Sequence, residues 1–212
     1  MKDLFVLTAD SDMEALLRAV LARHRDLQIH PLSFDVRRFT GRDSGMVKEG
    51  PEIARVMISK TEYSRLILIW DHHGSGWHDL RPAEAVTRIE QRLNGVTWTD
   101  RSAAVVVVPE LEEWLWHCPT TIAQHLDLNS AAFDELTARA AVQIERSRER
   151  CCRELPKELF ELIFYYKSRR KPLPEDFRML GSSANLSNWV RSESFDRFVG
   201  ILRAWFPPRV KR

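Results

Sequence analysis

The chain has 212 residues, with 32 Lys and Arg against 30 Asp and Glu, and a formal charge of +2 gives no global field to drive it onto nucleic acid or an acidic membrane. Three cysteines (Cys118, Cys151, Cys152) are too few for a disulfide framework and lack a paired CxxC spacing, which fits a reducing cytoplasm and leaves them chemically inert. No apolar stretch approaches the roughly 20 residues of a membrane span, and the run Leu4 to Leu7 is far below a signal-peptide core, so a cytoplasmic protein with no membrane partner is expected.

Leu4-Phe-Val-Leu7 reads as a short buried strand, and Ser11-x-x-Glu14 after it has the form of a capping box opening a helix. In that helix Met13, Leu16, Leu17, Val20 and Leu21 form one apolar stripe. A second strand is expected from about Gln28 to Val36, then a mobile loop at Gly41-Arg-Asp-Ser-Gly45 and a helix from about Pro51 to Thr61. The central strand, Arg65 to Trp70, runs into Asp71-His72-His73-Gly-Ser-Gly76. Pro82 opens a helix carrying Ala85, Ile89 and Leu93 that stops near Asn94-Gly95. Ala103 to Val108 is β-branched and uncharged, hence a central strand covered on both faces.

Beyond Pro109 the pattern turns helical. Leu155, Leu159, Leu162, Ile163 and Tyr166 make one stripe, and Phe195, Phe198, Val199, Leu202, Trp205 and Phe206 another. The expected fold class is α/β: a mostly parallel sheet of about four strands flanked by helices over residues 1–120, and an all-helical extension over 121–212 packed on it.

Three strands end in acid, at Asp10 with Asp12 and Glu14, at Asp71, and at Glu110-Leu-Glu112-Glu113. In a parallel sheet these groups converge at one edge, and convergent carboxylates repel unless a hard divalent cation such as Mg²⁺ or Mn²⁺ joins them. Alternation along the strand turns His72 away from Asp71 and His73, as a packed histidine. Trp70, Trp77, Trp114 and Trp116 surround this edge, as core or as surfaces for base stacking. Lys167, Arg169, Arg170 and Lys171 lack interleaved acids and are the candidate grip on a nucleic-acid backbone. Gly181-Ser-Ser-Ala-Asn185 reads as a turn and helix start that weakly suggests an anion site.

The segments Leu7-Thr-Ala-Asp10-Ser-Asp-Met-Glu14, Asp71-His72-His73 and Pro109-Glu110-Leu-Glu112-Glu113-Trp114-Leu115, in that order, resemble the Toprim fold of topoisomerases, primases and several nucleases. More closely, they are similar to the small stand-alone Toprim-like proteins of bacterial defence islands, with their pattern Glu-Gly-x-x-Glu, Asp-x-Asp and Glu-x-Trp-Leu. The resemblance implies a metal-dependent phosphoesterase or nuclease in an antiviral (anti-phage) system, with nucleic acid as substrate and a protein partner from the same system. It implies a divalent ion on Asp71, Glu112 and Asp10, with Asp10, Glu14 and His73 in catalysis. Two positions depart from the pattern: Asp10 is one methylene shorter than Glu, and His73 offers nitrogen for oxygen, which shifts preference toward Mn²⁺ or Zn²⁺. These departures motivate an alternative, a non-catalytic Toprim-fold subunit acting as scaffold or sensor, its helical tail docking a partner. A small-molecule phosphate or nucleotide hydrolase is a third reading.

Overall fold

Strand alternation sorts the core into two layers. In the computed structural model, which describes residues 1–58 and 61–208, four strands form one all-parallel sheet in the order β2-β1-β3-β4. They are β1 (Lys2–Thr8), β2 (Phe34–Arg38), β3 (Tyr63–Asp71) and β4 (Ser102–Val107). Helices α1 (Ser11–Leu21), α2 (Arg42–Met57) and α3 (Pro82–Leu93) connect them, α3 continuing into a π-helical turn, Asn94–Trp98. Leu4, Val6, Ile67, Ile69, Val105 and Val107 face α1 and the C-terminal helices, while Phe5, Leu7, Leu66, Leu68, Trp70 and Val106 face α2 and α3. Both faces of the sheet are therefore apolar, the condition for a buried parallel sheet.

After β4 come α4 (Glu112–Trp116) and then the extension, from α5 (Pro119–His125) through α6 (Ser130–Ile144), α7 (Arg148–Glu154), α8 (Pro156–Ser168), α9 (Pro174–Ser183) and α10 (Leu186–Trp189) to α11 (Glu193–Trp205). It shares the core of α1 rather than forming one of its own, because Leu159, Phe160, Ile163, Phe177, Phe195 and Phe198 are buried in the same cluster as Leu16 and Leu17. The apolar stripe of α11 is buried within the protein. No described helix is long and apolar enough to cross a membrane.

Four local expectations are corrected. The second strand begins at Phe34, because Gln28 adopts a left-handed φ of 58° and Ile29 hydrogen-bonds back to His24, burying Leu27 and Ile29 without sheet pairing. The expected loop at Gly41 to Gly45 is the start of α2, where both glycines make room for the Phe39 ring: a Cβ at Gly41 would lie 2.5 Å from it and one at Gly45 2.9 Å. Pro51 lies inside that helix rather than opening one, and Ser59 and Lys60 of the expected span lie outside the described residues. Gly181 belongs to α9, where a Cβ would come within 3.0 Å of the Leu16 carbonyl oxygen, so its role is close approach to α1 and not an anion-binding turn.

Asp176 ties α9 to the end of α8. It is 4% exposed, accepts two hydrogen bonds from the Arg170 guanidinium at 2.6 and 2.8 Å, pairs with His125 Nε2 at 2.8 Å and accepts the Leu173 N–H at 2.8 Å. Burial opposes its charge, but the bonds from Arg170, His125 and Leu173 prevail and lower its pKa to about 2. A depressed carboxylate pKa adds stability above the unfolded value of 3.8 that is lost as pH falls toward 2. Asp176→Asn is expected to cost about 2 kcal/mol at pH 7 and only a few tenths at about pH 2, read from urea melts at the two pH values.

Candidate functional site

The strand order creates a topological switch. The chain leaves β1 for β2 on one side, and leaves β3 for β4 on the other, so a crevice opens beyond the carboxyl ends of β1 and β3. Asp10 follows β1, Asp43 stands in the first turn of α2, Asp71 ends β3, and Glu110 and Glu112 follow β4. A cleft of about 550 Å³ lies here, with Asp10, Asp12, Asp43, Glu112 and Glu161 in its lining beside the cations Arg38, Arg42, Lys157 and Lys171.

Asp71 lies at the electrostatic centre. Its side chain follows Ile67 and Ile69 onto the α1 face, it is 5% exposed and lies outside the cleft lining itself, and its Oδ1 has no hydrogen-bond partner. Burial, then repulsion from Asp43, Asp10, Glu112 and Glu110, holds its pKa well above the usual carboxylate range. Glu112 is equally buried, and its pKa is pushed up to about 8 by burial, with Lys157 opposing and Glu110 and Asp10 adding to the rise. Asp12 reaches about 6 through burial and the neighbouring Asp10. Asp43 also reaches about 6 through burial, although its Oδ1 accepts the Asp71 N–H at 2.8 Å.

Two of these groups escape a reading of the sequence. Asp43 stands in a glycine-flanked segment whose local signals are those of a loop, and only the fold of α2 lays it on the end of β3. Gly74, with a φ of 82°, runs past it, and a Cβ there would stand 3.5 Å from Asp43 Oδ2. Lys157, the second residue of α8, brings a cation from the extension: its Nζ is 3.8 Å from Glu110 Oε1. Burial works against its charge, yet Glu112, Glu110, Asp71 and Asp10 together raise its pKa. Its sequence signal, a lysine in the first turn of an amphipathic helix, is indistinguishable from a solvated one.

The remaining candidates are placed unequally. Asp10, not Ser11, caps α1, its Oδ1 accepting the Met13 N–H at 2.8 Å, so the expected Ser11–Glu14 capping box does not form. Glu14 instead pairs with Arg18 at 2.8 Å and accepts the Arg38 N–H at 3.3 Å, bracing the end of β2 from outside the cleft lining. His73 is half exposed and also outside that lining, its Nδ1 3.8 Å from Glu110 Oε2, a buried oxygen with no hydrogen-bond partner. His72 is packed as expected, its Nε2 3.1 Å from the Leu80 carbonyl.

The basic run is less free than its sequence implies. Arg170 is held by Asp176, Lys171 pairs with Glu161 at 2.8 Å, Lys167 donates to the Asp127 carbonyl at 3.3 Å, and Arg169 lies over the Tyr165 ring. The expectation that these cations lack compensation is therefore corrected, and of the four only Lys171 lines the cleft. Trp70, Trp114 and Trp116 are core residues, which removes them as base-stacking surfaces, and Trp77 packs partly buried against the α2–α3 layer. Cys118 and Cys151 are buried, and burial pushes the Cys152 thiol up to about 11, so none is a ready nucleophile.

Hard oxygen donors around an orphaned, buried carboxylate oxygen fit a divalent cation such as Mg²⁺ or Mn²⁺. Among the described residues no three His, Cys, Asp or Glu side chains form a group that could hold a metal ion. Compared with protein-family models, with curated proteins and with solved structures, the chain finds no match.

Proposed function

We propose that this protein is a divalent-metal-dependent phosphoesterase or nuclease on a Toprim-like core, acting in the cytoplasm as one component of a prokaryotic antiviral defence system. The observation that supports the metal-dependent reading most strongly is Asp71: a nine-tenths buried carboxylate with an unpartnered oxygen, ringed by other acids at a topological switch point, costs stability with no return unless a cation occupies the cleft. The defence setting and the protein partner rest on the resemblance of the three acidic segments alone.

In this reading Asp71, Glu112 and Asp10 hold the ion, with Asp43 adjoining. When bound, the ion supplies neutralisation of phosphoester charge and a water of lowered pKa. Lys157 adds positive charge where a phosphoryl group gains negative charge, and the rest of its field keeps Glu112 closer to ionisation. His73, half exposed beside Glu110, is placed to carry a proton between the cleft edge and solvent. Glu14 contributes by fixing the Arg38 backbone rather than by touching substrate.

One observation favours a second reading, a non-catalytic scaffold: His73, where the related pattern has an acid, stands outside the cleft lining, as do Glu110 and Asp71. Calorimetry with Mn²⁺ and Mg²⁺ separates the two. The wild type should give heat and Asp71→Ala none, whereas no heat from the wild type would leave the scaffold. Plasmid, single-stranded DNA and RNA incubated with Mn²⁺ then test cleavage, and activity that survives both Asp71→Ala and Glu112→Ala is contamination.

A further inference from the structure

We infer that the turn from Arg38 to Arg42 is a phosphate-holding lip, and that the cleft behind it takes a nucleotide-sized phosphate monoester, free or at the end of a strand, in preference to the interior of a duplex. The inference rests on the reading of the cleft as a phosphoester site and names its substrate class.

Three observations carry it. First, Arg38 and Arg42 are exposed, line the cleft, and have no ion pair or side-chain hydrogen bond among the described residues, whereas the cleft's other two cations, Lys157 and Lys171, pair with Glu110 and Glu161. Two uncommitted guanidiniums four residues apart, facing an acidic floor, are the arrangement that grips an anion while the floor holds its counter-cation. Second, the lip is built rather than loose. Glu14 holds the Arg38 amide, the Phe39 N–H donates to the Thr8 carbonyl at 2.7 Å, the Phe39 ring packs over Gly41 and Gly45, and Arg42 adopts a left-handed φ of 53°. An arginine in that conformation is strained, and such strain persists only where the surroundings enforce it.

Third, the volume suits a nucleotide-sized ligand. The cleft's 550 Å³ lies within the roughly 300–1,000 Å³ of small-ligand sites. One wall is the extension, with Lys171, Pro172 and Phe177, and Glu112, 5% exposed, is part of the lining. A free or terminal phosphate enters a cleft of this size more readily than one inside a continuous duplex.

The test is titration calorimetry on the intact protein with Mn²⁺ alone, 5′-AMP, and a single-stranded decamer with or without a 5′-phosphate, alongside covalently closed duplex circles. The same titrations are run on Arg38→Gln, Arg42→Gln and the double variant, whose melting temperatures should match the wild type because both side chains are exposed. Each substitution should weaken 5′-AMP and the phosphorylated decamer about tenfold while leaving Mn²⁺ affinity unchanged. Tighter binding of the decamer identifies a strand end as the source, and tighter binding of 5′-AMP a free nucleotide. The proposal is overturned if the double variant binds both phosphates as the wild type does, or if closed circles bind as tightly as phosphorylated ends. Absence of Mn²⁺ heat with phosphate binding that still depends on Arg38 and Arg42 would sink the metal reading and leave the lip standing.

Discussion

Asp71→Asn is expected to stabilise the metal-free protein and to abolish divalent-ion binding in the same molecule. The wild-type carboxylate is buried at the end of β3, has an oxygen with no donor, and faces Asp43, Asp10, Glu112 and Glu110. At neutral pH the folded chain must either keep a proton on it or carry an unneutralised charge, and each choice costs free energy that the unfolded chain is spared. Asparagine keeps the shape, removes the charge and supplies an N–H₂ group that can donate to neighbouring carboxylates. The gain should be about 1–3 kcal/mol, and a protein of this size shifts its melting temperature by about 2–4 °C for each kcal/mol. The variant should therefore melt several degrees above the wild type in EDTA and show no further rise with Mn²⁺, whereas the wild type should rise. Asp71→Ala is the weaker probe, because an emptied volume at a buried site adds its own penalty. A variant that melts below the wild type in EDTA and still rises with Mn²⁺ would show that Asp71 is a structural acid with an ordinary role at a strand end.

The elements that a sequence pattern announces are those whose local period agrees with their burial. β3, β4, α1, α3 and α11 bury the residues that their apolar spacing selects, so their positions were legible, as was the convergence of Asp10, Asp71 and Glu112 once the strands are parallel. Legibility fails where tertiary contact overrides local chemistry. Gly41 and Gly45 signal a loop to any local rule, yet they open α2 because the Phe39 ring needs the space a side chain would take. Asp43 was lost with them. Lys157 reaches the acids only because α8 packs against α4, a contact between segments with no shared local signal. In the basic run, one-dimensional spacing misjudged the charge balance: Asp176 stands six residues beyond Arg170, and Glu161 a helix length before Lys171, outside the window in which neighbouring charges are ordinarily matched. The departure at His73 was visible as a residue type, but its placement beside Glu110 was not, since it depends on the turn made by Gly74, Ser75 and Gly76.

Stability of the metal-free protein should fall as pH rises from about 5 to about 8, opposite in sign to the behaviour of a protein held by ionised carboxylates. Glu112 titrates near 4.5 when unfolded and near 8 when folded, so between these values the folded chain binds a proton that the unfolded chain has released. Unfolding then releases protons, and each pH unit in that window lowers stability by about 1.4 kcal/mol. From pH 5 to pH 8 Glu112 alone contributes a loss on the order of 4 kcal/mol, and Asp12 and Asp43, raised from 3.8 to about 6, add losses of the same sign confined to the lower part of the range. The Asp176 contribution has the reverse sign but is complete above pH 4 and leaves this window untouched. Urea melts in EDTA at half-unit steps should show the decline, and Glu112→Gln should make it shallower above pH 6, where Asp12 and Asp43 no longer contribute while Asp71, held well above the usual carboxylate range, still does. A cation that binds the ionised cluster competes with these protons, so saturating Mn²⁺ should raise stability most at pH 8, and its calorimetric binding at pH 7 should release protons, seen as a heat that varies with the ionisation enthalpy of the buffer. A flat stability profile from pH 5 to pH 8 in EDTA would mean that Glu112 is hydrated and ionised in the folded protein, and the cleft would then lack the stored repulsion that gives a divalent ion its hold.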